Sequence, residues 1–166
     1  MADAALLKLA TELGAALRAR GWTLALAESC TGGWAAQAVT SISGSSTWFE
    51  RGFVTYSNAS KIDMLGLAPE ALALHGAVSE QTARTMALGA LRHSRAQISA
   101  AITGVAGPDG GSVGKPVGTV WFAWAGENGL LQSEIRHFSG DRETIRRQSV
   151  ETALQGVIKL TLRTDL

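Results

Sequence analysis

One cysteine, Cys30, is too little for an intrachain disulfide or a metal site built on several thiolates. The three histidines, His75, His93 and His137, are scattered, and no His/Asp/Glu group has metal-ligand spacing. Neither a metal nor another cofactor is therefore expected. Apolar runs fall far short of the ~20 residues that span a bilayer, so no membrane association is expected. Charge of one sign is also lacking: 15 Lys+Arg oppose 14 Asp+Glu, for a net charge of +1. With no basic-aromatic stripe either, direct nucleic-acid binding is not expected. Three prolines stand against 19 glycines, which suggests tight turns and close backbone approaches. What is present is apolar: 46% of the 166 residues are hydrophobic and 17% charged, the balance of a globular chain. No repeat, low-complexity tract or linker divides it, and 1–166 reads as a single domain. The opening residues 1–14 are amphipathic and carry acids, unlike a secretory signal, so a cytoplasmic location is expected.

Periodicity predicts alternating helices and strands. Residues 4–20 carry Leu6, Leu9, Leu13, Ala16 and Leu17 at helical spacing between Asp3 and Gly21. A buried strand is expected over 22–27, a helix from Trp34 and a strand over 52–56. A short helix capped by Ser57 or Asn58 should follow, then one opening at Pro69 and a longer one from Ser79 to His93. Residues 97–103 read as strand, and 117–125 with 130–138 as an antiparallel pair around Asn128-Gly129. A last helix begins at Asp141. The pattern predicts an α/β fold, a three-layer α/β/α sandwich on a mixed, mainly parallel sheet with one late antiparallel hairpin.

Ligands of open α/β sheets collect beyond the carboxyl ends of strands, which directs attention to three stretches. In Ala27-Glu28-Ser29-Cys30-Thr31-Gly32-Gly33, Ser29 stands between a strand and a helix start. It can be a nucleophile with N–H groups behind it for an oxyanion, or simply a cap. Cys30 is a rival nucleophile or core filler. In Thr55-Tyr56-Ser57-Asn58-Ala59-Ser60-Lys61, Lys61 can serve as a base if burial lowers its pKa; otherwise it is a solvated helix lysine. In 103–111, the Thr103 hydroxyl precedes a glycine loop that fits neither a Walker A loop nor a Rossmann fingerprint. A fourth feature, Arg142 and Arg146 in the first turns of the last helix, suits phosphate recognition or a solvated basic face.

The wording of these segments, joined by Gly44-Ser45-Ser46, Gly76-Ala77-Val78-Ser79 and Lys115-Pro116-Val117-Gly118-Thr119-Val120, resembles the CinA C-terminal domain family over essentially the whole chain. Within it the chain is most similar to the stand-alone nicotinamide-nucleotide amidases. The resemblance implies hydrolysis of the carboxamide of nicotinamide mononucleotide (NMN) to nicotinate mononucleotide and ammonia, in pyridine-nucleotide salvage. It implies a Ser29 nucleophile and Lys61 base, acting directly or through Tyr56, with Tyr56 and Thr103 as supporting polar groups. Cys30, Thr31, Gly32 and Gly33 would then supply oxyanion contacts, and Gly104 and Gly107, with Arg142 or Arg146, would hold the ribose phosphate. The competing expectation is a non-catalytic nucleotide- or protein-binding module. Tryptophans 34, 48, 121 and 124 suit a core or an interface between copies, which leaves a homo-oligomer open.

Overall fold

The structure is a computed structural model and describes residues 3–166. Its centre is a five-stranded sheet: β1 (Leu24–Glu28), β2 (Phe49–Val54), β3 (Ile98–Gly104), β4 (Thr119–Gly126) and β5 (Leu131–His137), in the order β2-β1-β3-β4-β5. β1 pairs in parallel with both β2 and β3, whereas β4 is antiparallel to β3 and to β5. Four strands thus point one way and β4 alone opposes them. The sequence pattern anticipated the β4–β5 hairpin but not the antiparallel β3–β4 pairing. Its cause is the connection: no helix occurs in the loop between β3 and β4, and a parallel return normally needs a helical crossover.

Strand alternation gives the sheet two unlike faces. Leu24, Leu26, Ile98, Ile102, Val120, Phe122 and Trp124 face one way and pack with α1 (Ala4–Arg20), α2 (Trp34–Thr40) and α6 (Arg142–Thr161). Ala25, Ala27, Ala101, Ala123 and Ala125 face the other way, toward α5 (Glu80–Arg92), with α3 (Asn58–Leu65) and α4 (Pro69–His75) beyond it. The alanine face admits α5 so closely that Ser99 Oγ donates to the Ala87 carbonyl at 2.6 Å. The result is the three-layer sandwich expected from the sequence.

Two strand boundaries moved for local reasons. Trp22 was expected to open β1, but its N–H caps α1 on the Leu17 carbonyl (3.0 Å), with Gly21 left-handed at φ +70°. Thr55 and Tyr56 were expected in β2. The strand stops at Val54, and the Thr55 N–H makes a last bond to Glu28 O (2.8 Å) before Ser57 caps α3. The carbonyls of residues 55 and 56 are therefore released from the ladder.

α3 is seated on α5 through Gly89. A Cβ placed there would lie 2.3 Å from the Leu65 carbonyl oxygen. Gly89→Ala gains roughly 1 kcal/mol of helix propensity but must push backbone aside, an overpacking cost of about 1–3 kcal/mol. A net loss of unfolding free energy in urea titrations is expected.

Candidate active site

The order β2-β1-β3 makes β1 the switch point of the sheet: one connection leaves it toward β2 and the chain returns on its other side as β3. A crevice opens at such a point beyond the carboxyl ends of the strands. Here it is a cleft of about 320 Å³, lined by Ser29 after β1, Tyr56 after β2, Lys61 of α3, and Thr103 with Gly104 at the end of β3. Cys30, Ala77, Val78, residues 105–107, Asp109, Gly110 and Arg142 complete its wall.

At its floor Lys61 Nζ lies 3.0 Å from Ser29 Oγ. The lysine is only 1% exposed, and among the described residues no carboxylate is bonded to its amine; its other partners there are the carbonyls of Thr55 (2.7 Å) and Tyr56 (3.3 Å). Desolvation lowers its pKa from the ordinary 10.5. A neutral amine has two N–H bonds and one lone pair. In that form the carbonyls of Thr55 and Tyr56 would take the two N–H groups and the lone pair would face the serine hydroxyl, the relation a base needs to accept the Ser29 proton.

Ser29 itself is held by its backbone. Its N–H extends the β1–β3 ladder to Ile102 O (3.0 Å). The preceding carboxylate, Glu28, is 1% exposed and accepts from Thr31 Oγ1 (2.7 Å), Ala35 N (2.8 Å) and Ala36 N (3.0 Å). A buried acid thus caps α2 from beneath the turn carrying the serine.

The CinA C-terminal domain model matches residues 6–161. The chain belongs to the CinA C-terminal domain family. It is 56% identical over 155 residues to the nicotinamide-nucleotide amidohydrolase PncC of Escherichia coli K12, covering 93% of this chain and 94% of that one. With the protein of the same name from Enterobacter agglomerans it shares 52% identity over 163 residues, 96% of this chain and 99% of the relative. The crystal structure of the competence/damage inducible protein CihA from Agrobacterium tumefaciens superposes with a TM-score of 0.93 at 45% identity, over 96% and 98% of the two chains.

Within this CinA-family domain the residues singled out from sequence divide. Ser29, Lys61, Tyr56, Thr103, Cys30, Gly104, Gly107 and Arg142 all meet at the cleft. Tyr56 reaches Lys61 only through its carbonyl. Its ring stands at the rim, 61% exposed, with the phenol bonded to Arg142 Nη2 at 3.1 Å, so a proton relay through the phenol does not match the geometry. Arg142 Nη1 also donates to the Gly107 carbonyl (2.7 Å), tying the glycine loop to the head of α6.

Thr31, Gly32, Gly33 and Arg146 do not line the cleft. The Thr31 hydroxyl is turned inward to Glu28, and the Gly32 N–H is spent on the Ser29 carbonyl (3.0 Å). Gly33 is left-handed at φ +98° beside Val54. Arg146 Nε and Nη2 donate to the carbonyls of Cys30 and Thr31, both at 3.0 Å, and its guanidinium lies over Trp34. That edge of the guanidinium is spent on the turn, and the side chain stands outside the cleft that Arg142 lines.

Three features escaped the sequence reading. Glu28 was seen as part of the motif, without a role. The segment 76–79 forms a cleft wall: the Gly76 carbonyl accepts from Ser79 Oγ and Thr82 Oγ1, and the Ala77 carbonyl accepts from Thr103 Oγ1 at 2.8 Å. Capping serine at 79 was the available signal. The Thr55 carbonyl, being backbone, left no signal in residue type.

Cys30, the alternative nucleophile, is buried, and burial pushes its thiol up to about 12. It is thus protonated at neutral pH and unreactive. Cys30→Ala is expected to retain turnover within about tenfold, since removing the thiol takes away no proton transfer. Loss of activity on the scale of Ser29→Ala, measured in the same assay, would move the nucleophile to the sulfur.

Proposed function

We propose that this protein hydrolyses the carboxamide of NMN to nicotinate mononucleotide and ammonia, using Ser29 as nucleophile and Lys61 as base. The observation that carries this reading is the 3.0 Å contact between the serine hydroxyl and a desolvated amine whose other partners are carbonyls. The activity named for the relatives at 52–56% identity supplies the substrate.

In the first step Lys61 takes the Ser29 proton as the oxygen attacks the amide carbon. The C–N bond then breaks as the lysine ammonium returns that proton to the departing nitrogen, and water hydrolyses the acyl-enzyme by the reverse use of the same base. Lys61 is buried in both roles, so each proton it holds is held at a desolvation cost, which keeps it ready to release. The glycine loop 104–107 lets backbone approach the nucleotide closely. Arg142, at the rim, supplies the cation for its phosphate. Anchoring at the phosphate orients the carboxamide over Ser29, which is why free nicotinamide should be a poor substrate.

A non-catalytic binding module would have no use for a buried amine held on a serine hydroxyl. Incubating the purified protein with NMN and assaying ammonia separates the readings. Ammonia from NMN, with little from free nicotinamide, is the expected result; nucleotide binding without ammonia release would favour the module.

A further inference from the structure

Two arginines one helical turn apart on α6, Arg142 and Arg146, were alternative candidates for holding the substrate phosphate. Their partners differ. Arg142 lines the cleft, whereas Arg146 has both arms of its fork on main-chain carbonyls of the turn that follows Ser29.

That turn runs through two glycines. It consists of two tight turns in series, closed by Gly32 N–H to Ser29 O and by Trp34 N–H to Thr31 O, both 3.0 Å. Its centre is Gly32 (φ +59°) and Gly33 (φ +98°), residues with wide backbone freedom. The Cys30 carbonyl belongs to the central peptide of the first turn, the unit whose rotation interconverts turn types. The Thr31 carbonyl opens the second. Arg146 Nε holds the former and Nη2 the latter. The planar fork fixes two peptide planes relative to one rigid group, which a lysine point charge cannot do. Trp34 lies beneath the guanidinium, 5.4 Å from ring centroid to the charged carbon, and restricts its swing. Opposite, Glu28 ties the same turn to α2 through Thr31.

We infer that Arg146 is a positioning residue for the nucleophile: it locks the Ser29 turn to α6 so that the hydroxyl stays on the lysine amine, and it does not touch the substrate. The inference rests on the proposed role of Ser29. It divides the arginine pair into one that meets ligand and one that holds the machinery in register.

The test is steady-state kinetics on NMN with Arg146→Ala and Arg146→Lys, the second keeping charge and most of the volume in case the first does not fold. In Arg146→Ala, kcat is expected to fall roughly 10- to 100-fold, the scale of a misplaced reacting group, with KM within about threefold of wild type. Added guanidinium, at concentrations far below denaturing, should restore part of kcat by occupying the vacated site. Arg146→Lys should fall between the two, since one ammonium cannot reproduce the fork. Wild-type kcat in either variant overturns the inference. So does a loss confined to KM, the signature of a phosphate ligand, or a kcat that guanidinium leaves unchanged. Failure of the Ser29 assignment is read separately, as activity surviving in Ser29→Ala run alongside.

Discussion

Ser29→Ala is expected to lower kcat on NMN by at least roughly 10³-fold, because no other group at the cleft floor is placed to form the covalent intermediate. The fold should be unaffected. Ser29 is anchored through its backbone N–H to Ile102, and the hydroxyl's partner, the Lys61 amine, keeps two carbonyl acceptors without it. Thermal unfolding of the variant should therefore lie close to wild type while ammonia release disappears. Substantial turnover in a folded Ser29→Ala protein would exclude the serine route. Cys30 is no ready substitute, being protonated at neutral pH through burial.

Lys61→Met should produce a loss of roughly 10²–10⁴-fold, the contribution of a positioned general base. Lys61→Arg should not rescue it. An arginine can occupy the length of the site and donate to the Thr55 and Tyr56 carbonyls, but it does not give up its proton in proteins. Activity in Lys61→Arg would mean that positive charge, not a lone pair, is what the site needs.

The same lysine gives the pH dependence. Burial lowers its pKa below the free value of 10.5, so kcat/KM should rise with pH as the folded-state amine deprotonates. Stability moves in the same direction. Between the lowered folded pKa and the unfolded one, the unfolded chain binds the extra proton, so folding is favoured increasingly as pH climbs through that window. Below the folded pKa both states carry the proton, and the desolvation penalty is felt in full. Lys61→Met should lack this segment of the stability profile, measured by urea unfolding at stepped pH.

How much of this was legible in the sequence follows from which groups are side chains and which are backbone. Helix boundaries were read closely because they are written in residue types: Asp3, Ser57, Ser79 and Asp141 accept the first N–H groups of α1, α3, α5 and α6 as capping residues do. The hairpin around Asn128 was legible for the same reason, its φ of +63° being tolerated there. Strand order was not, because pairing depends on where connections run, and the antiparallel β3–β4 pairing arises from a loop without a helix.

At the site, Ser29 and Lys61 were legible as candidates, yet 32 residues separate them and only the fold brings them to contact. The two arginines carried identical signals and took different work, decided by which carbonyls each meets. Thr31, Gly32 and Gly33 were read as oxyanion contacts from their place after the serine. The Thr31 hydroxyl instead serves Glu28, and the Gly32 N–H closes the turn.

The claim on which the account turns is that the amine of residue 61 gives up its proton more readily than an ordinary lysine. With only four lysines in the chain, at positions 8, 61, 115 and 159, carbon NMR of ¹³Cε-labelled lysine can follow each one through a pH titration. The account predicts that one resonance, missing from Lys61→Met, titrates below the free-lysine value of 10.5. Four resonances titrating together near 10.5 would contradict it, because a charged lysine cannot accept the serine proton.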